Sequence, residues 1–240
     1  MKRLADNEEL EMLAGLMVRE YLQRTKRWKV QCFDLEAFIT DYLGVTITYE
    51  TFAEDDPGKI GFMANGTDYL MVSRNGHKES VLFPADTIVI EKFLLNDDQS
   101  ARRRFTLAHE AAHVILGRHI PGQTAAAFHS EFDSDQEYGQ NELKRIFSLE
   151  ESQADRLGAA LLMPQYHVDK ALKKYNEGQP VTGYEGYIFS QETKIRIQKM
   201  ADCLGASYKA FLNRLRDLGL VEIRPIGEYM AALGFGGKCR

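Results

Sequence analysis

The chain has 240 residues, 44% of them hydrophobic and 27% charged, with a formal net charge of −5. These are the proportions of a soluble globular protein with room for a full core, and the negative balance excludes a general electrostatic footprint for nucleic acid or an anionic membrane. No run of about 18 apolar residues offers a membrane span, and the polar stretch from Met1 to Leu10 lacks the apolar centre of a signal peptide. Cys32, Cys203 and Cys239 are far apart and form no Cys-x-x-Cys pair, so neither a disulfide framework nor a cysteine metal site is indicated and a reducing, cytoplasmic setting is expected.

Leu10, Leu13, Leu16, Met17 and Tyr21 recur at helical spacing and predict an amphipathic helix from Asn7 to Arg24. Asp34 is placed to cap a second helix that runs through Leu43 and stops at Gly44. The period then changes: Val45 to Tyr49 alternates, is rich in β-branched residues and reads as a strand. Ile60 to Met63 and Tyr69 to Ser73 flank Asn65-Gly66 and predict a hairpin, with a second turn at Asn75-Gly76. Thr87 to Ile90 is the last strong strand. The expected class is therefore α+β, with a small, mostly antiparallel sheet ahead of a long helix. Asp97, Asp98 or Ser100 can cap that helix, and Gly117 is its expected stop. Arg102, Arg103 and Arg104 read as a solvated face, or as a contact for an acidic substrate segment. Residues 118–141 are irregular and acidic, a candidate lid or a disordered insertion. Helices return at Glu150 to Met163, ended by Pro164, and at His167 to Tyr175, while 177–190 reads as loop. A helical pair follows over Gln191–Leu220, broken at Gly205 and recapped by Ser207.

The long helix carries the chemistry. Thr106-Leu107-Ala108-His109-Glu110-Ala111-Ala112-His113-Val114-Ile115 contains His-Glu-x-x-His. Positions i and i+4 share one helix face, so His109 and His113 can converge on one Zn²⁺, with Glu110 beside it as a base. An unpaired Glu-His pair inside an otherwise apolar run would be costly unless something compensates the charge. A catalytic zinc site needs a third protein ligand, and two candidates compete. His119 stands where the last histidine of HExxHxxGxxH would be, but Leu116 occupies the place of the turning glycine. The rival is Glu151, with Asp155 one helical turn later as an acceptor for the outer N–H of a ligating histidine; Glu150 replaces Glu151 if the register slips by one.

These residues also carry a resemblance. Arg104 to Gly117, and Glu151-Ser152-Gln153-Ala154-Asp155 through Leu161-Leu162-Met163-Pro164, resemble the two core motifs of the ImmA/IrrE metallo-endopeptidases. The tail from Gly205 to Leu220 is similar to that family's C-terminal helical segment. The resemblance implies a thermolysin-like (minigluzincin) core, metal ligands His109, His113 and Glu151, and Glu110 as general base. It also implies cleavage of a helix-turn-helix transcriptional repressor. Two departures stand out: the stretch between His113 and Glu151 is longer than usual, and no N-terminal helix-turn-helix is evident, which points to a repressor on another chain. On this reading residues 1–176 form the metallopeptidase domain and 177–240 a C-terminal helical segment.

The expected reaction is hydrolysis of a peptide bond by water activated on Zn²⁺, with Mn²⁺ as the alternative ion and Glu110 taking the proton. Tyr166, His167, Tyr184 and Tyr187 are candidates by type for stabilising the oxyanion. Two rival functions are a non-proteolytic metal-binding regulator, and a DNA- or repressor-docking module built on 191–220. In that module Lys194, Arg196, Lys199, Lys209, Arg214 and Arg216 outnumber Glu192, Asp202 and Asp217. The same pattern describes any helical hairpin packed on a core, and direct DNA binding is not expected.

Overall fold

The structure is a computed structural model that describes residues 6–55, 58–119 and 149–233. Its internal contacts define two compact units, Met1–Pro164 and Gln165–Arg240. The helix expected from His167 to Tyr175 thus groups with the C-terminal unit, whereas the sequence reading places the division after residue 176.

In the first unit, α1 (Asn7–Arg24) begins at a capping box. The Asp6 side chain accepts from Glu9 N, and the Glu9 side chain accepts from Asp6 N. Asp34 caps α2 (Leu35–Ala37) by accepting from Ala37 N at 3.0 Å, and the helix runs on as a π-turn through Phe38–Tyr42. The strands are β1 (Thr46–Glu50), β2 (Gly61–Ala64), β3 (Tyr69–Arg74), β4 (His77–Leu82) and β5 (Thr87–Glu91). β5 lies at the centre of a three-stranded sheet, parallel to β1 and antiparallel to β2. β3 and β4 form an antiparallel hairpin about Asn75-Gly76. Chain beyond β1 runs along β3: Phe52 bridges Val72, and Ala53 N donates to Met71 O at 2.8 Å.

The hairpin expected at Asn65-Gly66 does not form between β2 and β3. A turn is there: Asn65 Oδ1 accepts from the backbone N–H of Thr67 and Asp68, both at 2.9 Å. It delivers the chain into a different sheet. Burial explains why: all four residues of β2 are buried, whereas β3 alternates, so β2 belongs in the interior beside β5 rather than on a half-exposed hairpin. Phe62, Ala64, Leu70, Val72, Phe83 and Val89 cluster there.

The long helix α3 (Ser100–His119) packs on β2, β5 and α4 (Leu149–Leu162), and α4 in turn packs on α1. Gly117 does not stop α3, which runs through it to His119; Gly117 is exposed and helical. Nor are Arg102 to Arg104 a solvated face. They are half-buried: Arg104 donates to Phe33 O at 3.0 Å, Arg103 lies 3.5 Å from Glu36, and Arg102 covers the Phe93 ring. The candidate lid lies outside the described residues apart from Arg118 and His119.

The second unit holds α5 (Gln165–Tyr175), β6 (Val181–Tyr184), α6 (Gln191–Leu204), α7 (Tyr208–Asp217), β7 (Val221–Arg224) and α8 (Ile226–Ala232). Val181–Tyr184, expected as loop, is a strand parallel to β7. Ser190 and Ser207 cap α6 and α7, and Gly205, at φ +67°, closes α6. Among the described residues no helix is long and apolar enough to cross a membrane.

Candidate metal centre

From Thr106 to Leu116 every residue of α3 except His109 is buried, because the helix runs between β2 and β5 on one side and α4 on the other. A helix enclosed all round reads as continuously apolar, and from Leu107 to Leu116 this one does so except at His109, Glu110 and His113. Those three exceptions need partners. α4 presents the same anomaly: Ala154, Leu157, Ala160 and Leu161 are fully buried, yet Glu151 is also buried and Asp155 half-buried.

The two anomalies meet. His109 Nε2 lies 3.1 Å from His113 Nε2, and Glu151 Oε2 lies 3.5 Å from the first and 3.7 Å from the second. Asp155 Oδ1 lies 2.8 Å from His109 Nδ1. An imidazole whose Nδ1–H is donated to a carboxylate presents the lone pair of Nε2 to whatever lies on the other side, and on that side are His113 and Glu151.

Three donor atoms so close, two nitrogens and one carboxylate oxygen, suit a small divalent cation. With ligands about 2.0–2.1 Å from a tetrahedral ion, donor atoms stand about 3.3 Å from one another, and the separations here, 3.1, 3.5 and 3.7 Å, fall around that value. The electrostatics agree. Burial alone disfavours a positive charge on His109, but hydrogen bonds to Asp155 and Glu151, with the charges of Asp155 and Glu110, lift its pKa well above the usual imidazole value. The cluster is therefore a place where positive charge is stabilised.

Of the competing third ligands, the structure gathers Glu151. His119 lies beyond the cluster on α3, exposed, its Nδ1 3.0 Å from Ile115 O. The group of possible metal ligands found among the described residues is His109, His113 and Glu151, so no shift of register to Glu150 is needed. Tyr166, His167, Tyr184 and Tyr187 all belong to the second unit. There Tyr184 packs on Tyr229 with ring centroids 4.8 Å apart, and Arg216 lies over the Tyr187 ring at 4.1 Å.

Sequence reasoning passed over Gly158, which takes part without offering a ligand. A Cβ there would stand 3.0 Å from His109 N and 3.1 Å from Ala108 C and O. The glycine lets α4 approach the α3 backbone at the level of the cluster, which is how Glu151 and Asp155 reach His109. A glycine in an apolar helix stripe was the available signal.

Comparison with curated proteins gives no match. The model of the IrrE N-terminal-like domain, peptidase family M78, matches residues 40–216. That span takes in the sheet, α3 and α4 and covers well over half of the chain. The protein therefore belongs to peptidase family M78, the IrrE N-terminal-like domains, and that membership supports a function of the metallopeptidase type.

Proposed function

We propose that this protein is a zinc-dependent endopeptidase that cuts a protein substrate, a helix-turn-helix transcriptional repressor carried on another chain. The observation that carries the reading is the triangle of His109, His113 and Glu151, drawn within 3.1–3.7 Å, with Glu110 next to it in sequence on α3. A site that only stored a metal would have no use for a buried carboxylate beside its ligands. Family membership and the motif resemblance support the repressor as substrate.

His109, His113 and Glu151 would hold the ion through Nε2, Nε2 and a carboxylate oxygen. Bound there, a divalent ion supplies a Lewis acid for the scissile carbonyl and makes a water easier to deprotonate. Asp155 keeps His109 in the required tautomer and ring orientation. Glu110, 1% exposed, is the base: its carboxylate takes the proton released as water attacks and passes it to the departing amine. Enclosure by α3, β2 and α4 strengthens these charge interactions by excluding solvent.

The test is to incubate the zinc-loaded protein with a candidate helix-turn-helix repressor and look for fragments. Glu110→Gln should bind zinc as the parent does and lose about 10²–10⁴-fold in cleavage rate, the usual contribution of a positioned base. Undiminished cleavage by that variant would end the proposal. Intact repressor with the zinc-loaded parent would instead favour a metal-binding regulator.

A further inference from the structure

We infer that Gly61 is a positioning residue for Glu110, its missing side chain being the space into which the carboxylate fits. The inference rests on the reading of Glu110 as the base.

Gly61 opens β2 and pairs in regular antiparallel register with Ile90. Its φ lies outside the left-handed region, so the backbone there is one that any residue adopts. Glycine in such a place is a liability, since it weakens a strand and offers nothing to pack; its usual justification is the close approach of another group. The group that approaches is Glu110. A Cβ built on Gly61 would overlap Glu110 Oε1 and stand 3.0 Å from both Glu110 Cδ and Thr106 Cγ2. Thr106 lies one helical turn before Glu110 on the same face of α3. Its hydroxyl is turned back to Arg102 O at 3.1 Å, so its methyl forms the other wall. The Glu110 carboxyl and the Thr106 methyl thus both border the space that a side chain at position 61 would fill.

The two sides of this contact differ in how readily they can yield. β2 is fixed by its ladder to β5, whereas the Glu110 carboxyl is the far end of a flexible side chain. A methyl at position 61 therefore displaces the carboxylate rather than the strand. A base moved by about 1 Å can lose 10²-fold in rate while the fold survives. The three heavy atoms nearest to that methyl belong to Glu110 and Thr106, and none of them to His109, His113 or Glu151.

The experiment uses the full-length zinc protein and two crossed pairs of variants. In the first, Gly61→Ala is made with Glu110 present and in a Glu110→Ala background, and Tm is measured for all four proteins. Gly61→Ala should be less favourable with Glu110 present by about 2–4 °C. An equal change in both backgrounds, or failure to fold in both, would show a backbone requirement and overturn the inference; folding only in the Glu110→Ala background would support it. In the second, cleavage of the repressor is followed for Gly61→Ala with Glu110 and with Glu110→Asp, whose shorter side chain withdraws from position 61. The expectation is a fall of about 10²-fold in kcat with Glu110, KM nearly unchanged, and a further loss under about threefold with Asp. Zinc affinity, by chelator competition, should be unchanged. An equal loss in both backgrounds would again overturn the inference. If the parent itself cuts nothing, the endopeptidase reading falls, and the Tm cycle still decides whether the two residues share one space.

Discussion

Two pairs of helices in this molecule look alike in sequence and differ in what they bury. α6 and α7 enclose Ile197, Met200, Ala201, Leu204, Phe211 and Leu215, and among them a single charged side chain, Arg214. Several of their cations are engaged locally: Arg196 donates to Asn176 Oδ1 at 3.1 Å and pairs with Glu192, and Arg216 covers Tyr187. α3 and α4 have an equally apolar interior, yet they bury Glu110, His113 and Glu151 within it. Burying charge is costly unless it is compensated, so a helix pair that does so repeatedly is shaped by something besides folding. In α6–α7 the apolar burial is explained by stability; in α3–α4 the buried donors form a candidate site for a divalent metal ion.

The comparison breaks most completely if the charged interior can be emptied without consequence. Glu151→Ala leaves two imidazoles, and we expect zinc affinity to fall by more than the 10–100-fold that an outer-shell change typically causes, with cleavage lost alongside. A chelator titration measures it, and parental affinity would remove Glu151 from the ligand set. Phe211→Ala is the counterpart in α7. It should lower stability by about 3–5 kcal/mol in urea unfolding, as deletion of a fully buried ring does, without changing zinc affinity per folded molecule. Next comes Asp155→Ala, which removes the acceptor 2.8 Å from His109 Nδ1. It should weaken zinc binding by about 10–100-fold. A parental value there would mean that ring orientation is set by packing alone.

The parts of the site that were legible in sequence are those whose cause is local. His109 and His113 are one helical turn apart, so a single element fixes their shared face. Glu151 and Asp155 were legible because charge in the buried stripe of α4 contradicts the pattern around it. Features that depend on distant partners were not legible. Asn65-Gly66 makes a true turn, but whether β2 then pairs with β3 or β5 is decided by burial on both its faces. β6 and β7 are parallel strands separated by two helices, and short runs such as Val181–Tyr184 carry too little alternation to announce themselves. The cluster Arg102 to Arg104 misled for a similar reason, since Phe33 O and Glu36, which engage Arg104 and Arg103, come from an earlier stretch of chain.

The finest test of the comparison is Gly158→Ala, because its two consequences have opposite signs. Within a helix, alanine is favoured over glycine by about 1 kcal/mol, so the substitution should stabilise α4 taken alone. Against this, the new Cβ would stand 3.0–3.1 Å from His109 N and Ala108 C and O, which are backbone atoms that cannot rotate aside. α4 must then withdraw by a few tenths of an ångström, and net stability should barely move. Zinc binding has no such compensation. The withdrawal carries Glu151 and Asp155 away from His109 together, while the 3.1 Å separation of the two histidine nitrogens, both on α3, stays as it is. We expect an affinity loss of a few-fold, smaller than for Asp155→Ala, with Tm within about 2 °C of the parent. A falling Tm with undisturbed zinc affinity would show that the close approach of these helices serves packing and not the cation.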